Sequence, residues 1–327
     1  MLSSQSPLFS TRTLSTLFLV SMFFASFVLL GILWFAVGAA LLVYLLGREG
    51  TKKTWLLLLC GVAINYLLGA LFSGFDFLNP THAVYPLLVL ALALPLLVAR
   101  RRGISRTATI IAMTVSVLAV LVAYLATALL WRHGTQAWVA LWQYVAAVES
   151  ELRALFAAVV VGEQQVFSDE VIKQTIYAVK SLLPACTVLL AMGISYLATA
   201  VYRLLCQYSG QARLLPTNPY EITVSPVTAA IYLPFAILAL FFSTGSVTAF
   251  WTVTQTISLL LAPALAYCQV RRTVFRIRNR QMDSFSWICT ALFVLYLLTN
   301  PLDAVRVLAL FGAYRLLTLL WHRKRQP

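Results

Sequence analysis

Charge is scarce in this chain, and acid is the scarcer sign. Only 10% of its 327 residues are charged and 61% are hydrophobic, whereas a soluble domain carries about 25% charged residues. A soluble fold of this size has no way to hide so much apolar surface. Histidine is nearly absent: His82, His133 and His322 lie in gaps between apolar runs or at an end, and no two have metal-ligand spacing. The five cysteines (Cys60, Cys186, Cys206, Cys268 and Cys289) lie within or at the end of apolar runs, with no C-x-x-C pair. Free cysteine behaves as a small hydrophobe, so neither a disulfide framework nor a zinc site is expected.

Catalytic motifs are missing as well. There is no G-x-S-x-G, no pair of aspartates within an apolar run and no histidine in one. The segment from Gly47 to Thr54 has glycines and lysines but not the G-x-x-x-x-G-K-[ST] spacing of a phosphate loop, and no strand precedes it. Glu149, Glu151 and Arg153 suggest the glutamate motif of intramembrane prenyl-protein proteases, but the adjacent glutamate pair is absent. A bilayer-embedded hydrolase needs such groups, so the expectation is a protein that is not an enzyme and uses no cofactor or metal.

What the chain does have is a series of solid apolar runs. Several exceed the ~18 residues that mark a transmembrane helix, and they do not alternate as barrel strands do. They fall at about Leu14–Leu46, Trp55–Phe72, Ala83–Val98, Thr107–Trp131, Leu182–Leu204, Val227–Phe242, Val247–Val270 and Phe285–Trp321. The first run, as one helix, is about 50 Å long at ~1.5 Å per residue, too long for a ~30 Å hydrocarbon core. We read it as two spans turning near Gly31. The last is interrupted at Asn300-Pro301, where proline removes a donor and breaks the helix. The expected fold is therefore all-α: a polytopic transmembrane helix bundle of about ten spans, or eight to nine if the end runs are single helices, forming one integral-membrane domain over residues 1–327.

Basic residues collect in every second gap: Arg48, Lys52 and Lys53; Arg100, Arg101, Arg102 and Arg106; Arg271, Arg272, Arg276, Arg278 and Arg280; and the tail Arg323, Lys324 and Arg325. Cytoplasmic loops carry such an excess. Placing these gaps inside puts 18 of the 24 Lys and Arg on the cytoplasmic side, with Arg132, Arg153, Lys173, Lys180 and Arg306 outside and Arg315 within the last span. Acids run the other way: Asp76, Glu149, Glu151, Glu163, Asp169, Glu170 and Asp303 are outside, and Glu49, Glu221 and Asp283 inside. With ten spans both termini are cytoplasmic, in a plasma membrane. The net charge of +14 then reflects topology and attraction to anionic headgroups, so the lipid bilayer, and not nucleic acid, is the expected partner.

Residues 132–180 form the one stretch expected to lie outside the membrane. Trp131, Trp138 and Trp142 fall on one helical face, suited to the membrane interface. The run from Gly162 to Gln165 breaks the helical pattern. Ser168 is a plausible N-cap, with Asp169 and Glu170 well placed against the helix dipole. The expectation is an extracytoplasmic amphipathic helical cap.

Few polar groups sit deep in the runs. Gly61, Asn65 and Gly69 share one helix face, a pattern that serves close helix packing or, less often, lines a substrate pocket. Ala191, Ser195 and Thr199 make a similar stripe. Charged groups in spans are expensive, on the order of 3 kcal/mol at the bilayer centre, and often functional. Arg315 is one candidate. Asp303 and Arg306, three apart beyond the Asn300 break, can pair. Asn65, Asn300, Asp303, Arg306 and Arg315 are thus the candidate substrate-binding residues, against the plainer view that they serve packing, pairing or snorkelling.

One stretch carries a family resemblance: VIKQTIYAVKSLLPACTVLLAMGISYLATAVYRLLCQYSGQARLLPTNPYEITVSP, from Val171 to Pro226. An amphipathic lead-in, Leu-Pro opening a span, Arg at its inner end and a Pro-rich loop resemble the YybS-like family of bacterial membrane proteins, whose function is uncharacterised. The order of spans and the basic tail are similar too. The chain departs where the family carries a Trp after the loop, near Tyr220 and Pro226, and where it carries an Asp after the glycine matching Gly312. The family is distantly similar to substrate-binding membrane subunits of energy-coupling-factor vitamin transporters. The resemblance implies a transport-related subunit with a small-molecule ligand. The alternative is a non-catalytic scaffold or assembly factor of the envelope that binds another membrane protein.

Overall fold

The structure is a computed structural model that describes residues 10–25, 31–72, 83–158, 160–161, 164–165, 168–210, 224–241 and 249–325. Residues 26–30, beside the turn expected near Gly31, as well as Asp76, His82, Gly162, Glu163 and the Pro-rich loop with Tyr220 and Glu221, lie outside them.

Among the described residues the protein is helical, with eleven α-helices. These are α1 (Thr11–Ala25), α2 (Gly31–Glu49), α3 (Thr51–Phe72), α4 (Val84–Arg102), α5 (Arg106–His133), α6 (Ala137–Ala157), α7 (Asp169–Tyr208), α8 (Pro226–Phe241), α9 (Ala249–Arg278), α10 (Ser284–Thr299) and α11 (Pro301–Arg325). Among the described residues there is also a two-residue strand pair, β1 (Val160–Val161) against β2 (Gln164–Gln165). It sits where the Gly162–Gln165 run interrupts the helical pattern. Among the described residues, four segments are long and apolar enough to cross a membrane: Thr51–Leu71, Arg106–Phe156, Leu182–Tyr208 and Val253–Arg278. Large apolar side chains stand exposed along them, among them Leu56, Leu59, Ile111, Val115 and Val122. Such continuous apolar surface is untenable in water and ordinary in lipid. This is a membrane protein.

The chain forms two compact units. One comprises Met1–Val148 with Leu190–Ile222, the other Glu149–Leu189 with Thr223–Pro327.

In the first unit α2 is the central helix. From Phe35 to Leu45 nearly every side chain is buried, with Leu41, Tyr44 and Leu45 fully so. A helix apolar on every side belongs inside a bundle, and α1, α3 and α4 surround α2. α1 adds Phe18 and Met22, α4 adds Leu92, α5 adds Met113, and the second half of α7 adds Tyr202. The α4–α5 turn follows from chemistry at both ends. Gly103 takes the left-handed conformation (φ 64°) and returns its N–H to the Ala99 carbonyl, the usual glycine ending of a helix. Ser105 then starts α5 by accepting the Ala108 N–H on its hydroxyl at 3.3 Å, an N-cap bond.

In the second unit α8, α9 and α11 pack around a core made mostly of alanine: Ala229, Ala236, Ala262, Ala266, Ala309 and Ala313, with Tyr232 and Leu265. Small side chains let helices approach closely where lipid gives no hydrophobic drive to association. α10 has no buried residue. Asp283 stands at its N-cap position, outside the apolar segments, and the Ser286 hydroxyl holds its carboxyl below the ordinary carboxylate range. The same unit holds the start of α7, where Ser168 accepts the Val171 N–H at 3.4 Å. Nearby, Glu149 of α6 pairs with Lys180 of α7 and with Arg153 at 3.6 Å.

Candidate functional site

The seam between α9 and α11 is where the polar residues of the second unit gather. On α9, Gln255, Ser258, Ala262, Leu265, Cys268, Arg272 and Arg276 recur every three or four residues, so they share one face. On α11, Ala309, Gly312 and Arg315 follow Arg306 at three-residue steps, a row that drifts about half a turn round the helix between the two arginines. The two helices are parallel, since Gln255 meets Arg306 while Leu265 meets Gly312. The seam is therefore polar at its start, small in its middle and basic at its end.

The middle sets the register. A Cβ placed on Gly312 would lie 2.3 Å from the Leu265 carbonyl oxygen. Backbone meets backbone here, and no side chain larger than hydrogen fits. That contact brings Arg306 within reach of α9.

At the start of the seam, one guanidinium nitrogen of Arg306 donates to the Gln255 Oε1 at 2.8 Å. Another lies 3.4 Å from Asp303 Oδ1, one helical turn back. Tyr232 of α8 donates its hydroxyl to the Arg306 carbonyl at 3.3 Å and also meets the Ser258 hydroxyl. Tyr232, Ser258 and Gln255 are buried, while the Asp303 side chain is 58% exposed. Two buried donors keep unused capacity: Arg306 Nε and the hydroxyl of Thr254, on the same turn as Gln255, make no hydrogen bond. An unsatisfied donor in a low-dielectric setting is costly. An incoming acceptor group is the natural way to relieve it.

Asn300 forms the break just before this site. Its N–H closes α10 on the Tyr296 carbonyl, its carbonyl accepts the Ala304 N–H at the start of α11, and its side chain donates to the Thr299 hydroxyl at 3.2 Å. Pro301 takes the first position of α11, where a missing N–H costs nothing.

Asn300, Asp303 and Arg306 thus come together within two turns. Arg315 does not join them. It lies about 13 Å further along α11 at ~1.5 Å per residue and faces Arg272 and Arg276 of α9. Asn65 belongs to the first unit, where it is fully buried and its amide donates to the Met22 carbonyl of α1. Gly61, one turn earlier, lies against Phe18 and Met22, so this stripe packs α3 on α1. Ala191, Ser195 and Thr199 are likewise buried, with Thr114 of α5 3.4 Å from Ser195.

Sequence reasoning did not single out Tyr232, Thr254, Gln255 or Ser258. The usable signal was the group Thr254, Gln255 and Ser258, three polar residues on one side of an apolar run. Among the described residues no three His, Cys, Asp or Glu side chains converge as metal ligands do.

No family model, curated protein or solved structure matches the chain. The functional reading rests on the site.

Proposed function

We propose that this protein is a plasma-membrane, multi-pass subunit with a role in small-molecule transport, and that Arg306 is the centre of its recognition site. The carrying observation is the Arg306 guanidinium, tied on one side to buried Gln255 and on the other to exposed Asp303, beside the interrupted helix at Asn300-Pro301. Transporter sites favour broken helices, and intramembrane charge marks function. Asp303 can yield the guanidinium to an incoming acceptor because its own carboxylate keeps access to water. The resemblance to YybS-like proteins points the same way by analogy only. In this reading the basic gaps and both termini face the cytoplasm, and residues 132–180 form the extracytoplasmic cap.

Native mass spectrometry of the purified full chain tests it. A retained metabolite is expected with the wild type and is lost in Arg306→Gln, while Arg306→Lys, which keeps the charge without the planar fork, retains a reduced amount. Repeated preparations without any adduct, or an adduct that survives Arg306→Gln unchanged, would overturn the proposal.

A second reading, an envelope scaffold or assembly factor, is favoured by a different observation. Trp138 and Trp142 of α6 stand exposed, edge to face at 5.7 Å, and exposed tryptophan suits a partner surface. Deleting residues 136–165 should then abolish co-purification of a membrane partner. Unchanged pull-downs argue for the transport reading alone.

A further inference from the structure

The basic end of the α9–α11 seam has no counterpart in the site above. The Gly312–Leu265 contact fixes the register. One turn beyond it on α11 comes Arg315, and one, two and three turns beyond it on the same side of α9 come Cys268, Arg272 and Arg276. Arg315 accordingly feels the charges of both α9 arginines, with Cys268 also at hand. Arg315 and Arg272 are half-buried and Arg276 is exposed. Among the described residues none of these three makes an ion pair with a carboxylate. The acid closest in sequence, exposed Asp283, acts on Arg276 from the start of α10.

Three like charges held together by a rigid backbone contact repel one another, more strongly as water is excluded. Lysine would carry the same charge to the interface on a comparably long stem. Arginine differs in presenting a planar fork that matches phosphate oxygens in pairs. The sequence places this cluster at the cytoplasmic end of the bundle, at headgroup depth, where anionic phospholipids lie.

We propose that Arg272, Arg276 and Arg315 form a binding site for a phosphate group. The headgroup of an anionic phospholipid and a soluble phosphate ester share that chemistry, and the experiment separates them.

The full chain, purified in neutral detergent and stripped of lipid, is titrated with phosphatidylglycerol, phosphatidylcholine or glycerol 3-phosphate and followed by native mass spectrometry. Phosphatidylglycerol adducts should exceed phosphatidylcholine adducts for the wild type and fall by at least about fivefold in Arg272→Gln/Arg276→Gln. In Lys52→Gln/Lys53→Gln, which removes exposed charge from the other unit, they should be unchanged. Adducts with glycerol 3-phosphate as well assign the site to soluble esters; adducts with lipid alone assign it to the headgroup. The charge-preserving variant Arg272→Lys/Arg276→Lys guards against a folding defect and should bind severalfold more weakly than wild type. Adducts undiminished in both α9 variants, or reduced equally by the Lys52/Lys53 control, overturn the proposal. None of these outcomes depends on metabolite binding at Arg306, so either proposal can fail alone.

Discussion

Two glycines show how differently one residue type can be constrained. At Gly312 the obstacle to a side chain is the Leu265 carbonyl, part of a neighbouring helix backbone. At Gly47 the obstacle is the Arg100 guanidinium, the far end of a flexible side chain. Gly312→Ala should therefore destabilise the protein by about 1–3 kcal/mol, the usual cost of overpacking, read as a lower midpoint of thermal unfolding in detergent. Gly47→Ala should leave that midpoint nearly unchanged, because Arg100 can swing aside. Equal midpoints for the two variants would mean that the α9–α11 contact is looser than described. Asn65 is constrained in a third way. Its buried amide answers the Met22 carbonyl across α1 and α3, and in lipid an amide without a partner is expensive.

At the scale of elements, helix ends could be read before the fold was known. Ser168, expected as an N-cap, caps α7, because an N-cap bond is local and needs only the right side chain before a helix; Ser105 caps α5 in the same way but was not singled out from the sequence. Ser105→Ala should lower stability by about 1 kcal/mol and Ser105→Gly by less, which parallel thermal melts would show; equal losses would mean that the hydroxyl bond contributes nothing. The Asn300-Pro301 interruption was equally legible, since proline acts on its own helix. Asp303 with Arg306 followed from three-residue spacing. Gln255 did not, although its 2.8 Å bond to Arg306 is shorter than the 3.4 Å contact with Asp303. The two residues are 51 apart, and their meeting depends on the register that Gly312 sets between α9 and α11. Spacing along one helix says nothing about that register.

For the whole molecule, solvent decides. Exposed apolar side chains along α3, α5 and α10, and four segments long enough to cross, belong in lipid. Topology is then a matter of charge asymmetry. Cysteines introduced at 52 and 278 should be shielded from an impermeant thiol reagent in intact cells, and a cysteine at 151 should be labelled. Labelling at 278 and protection at 151 would invert the orientation, and with it the placement of the phosphate site. Without detergent the purified chain should aggregate, whatever happens at Arg306 or Arg315.

Composition and periodicity alone established the class, the helices and their approximate limits, and the Asp303–Arg306 pair within α11. Each depends on local patterning or on the mean polarity of a segment, which the order of residues already contains. The tertiary structure alone decided that Arg306 meets Gln255 and Tyr232, that Arg315 faces Arg272 and Arg276 instead of joining Arg306, and that Asn65 serves the packing of α3 on α1. Those outcomes turn on how far one helix slides along another before backbone touches backbone, a distance set by the fit of small side chains between helices that lie far apart in the chain.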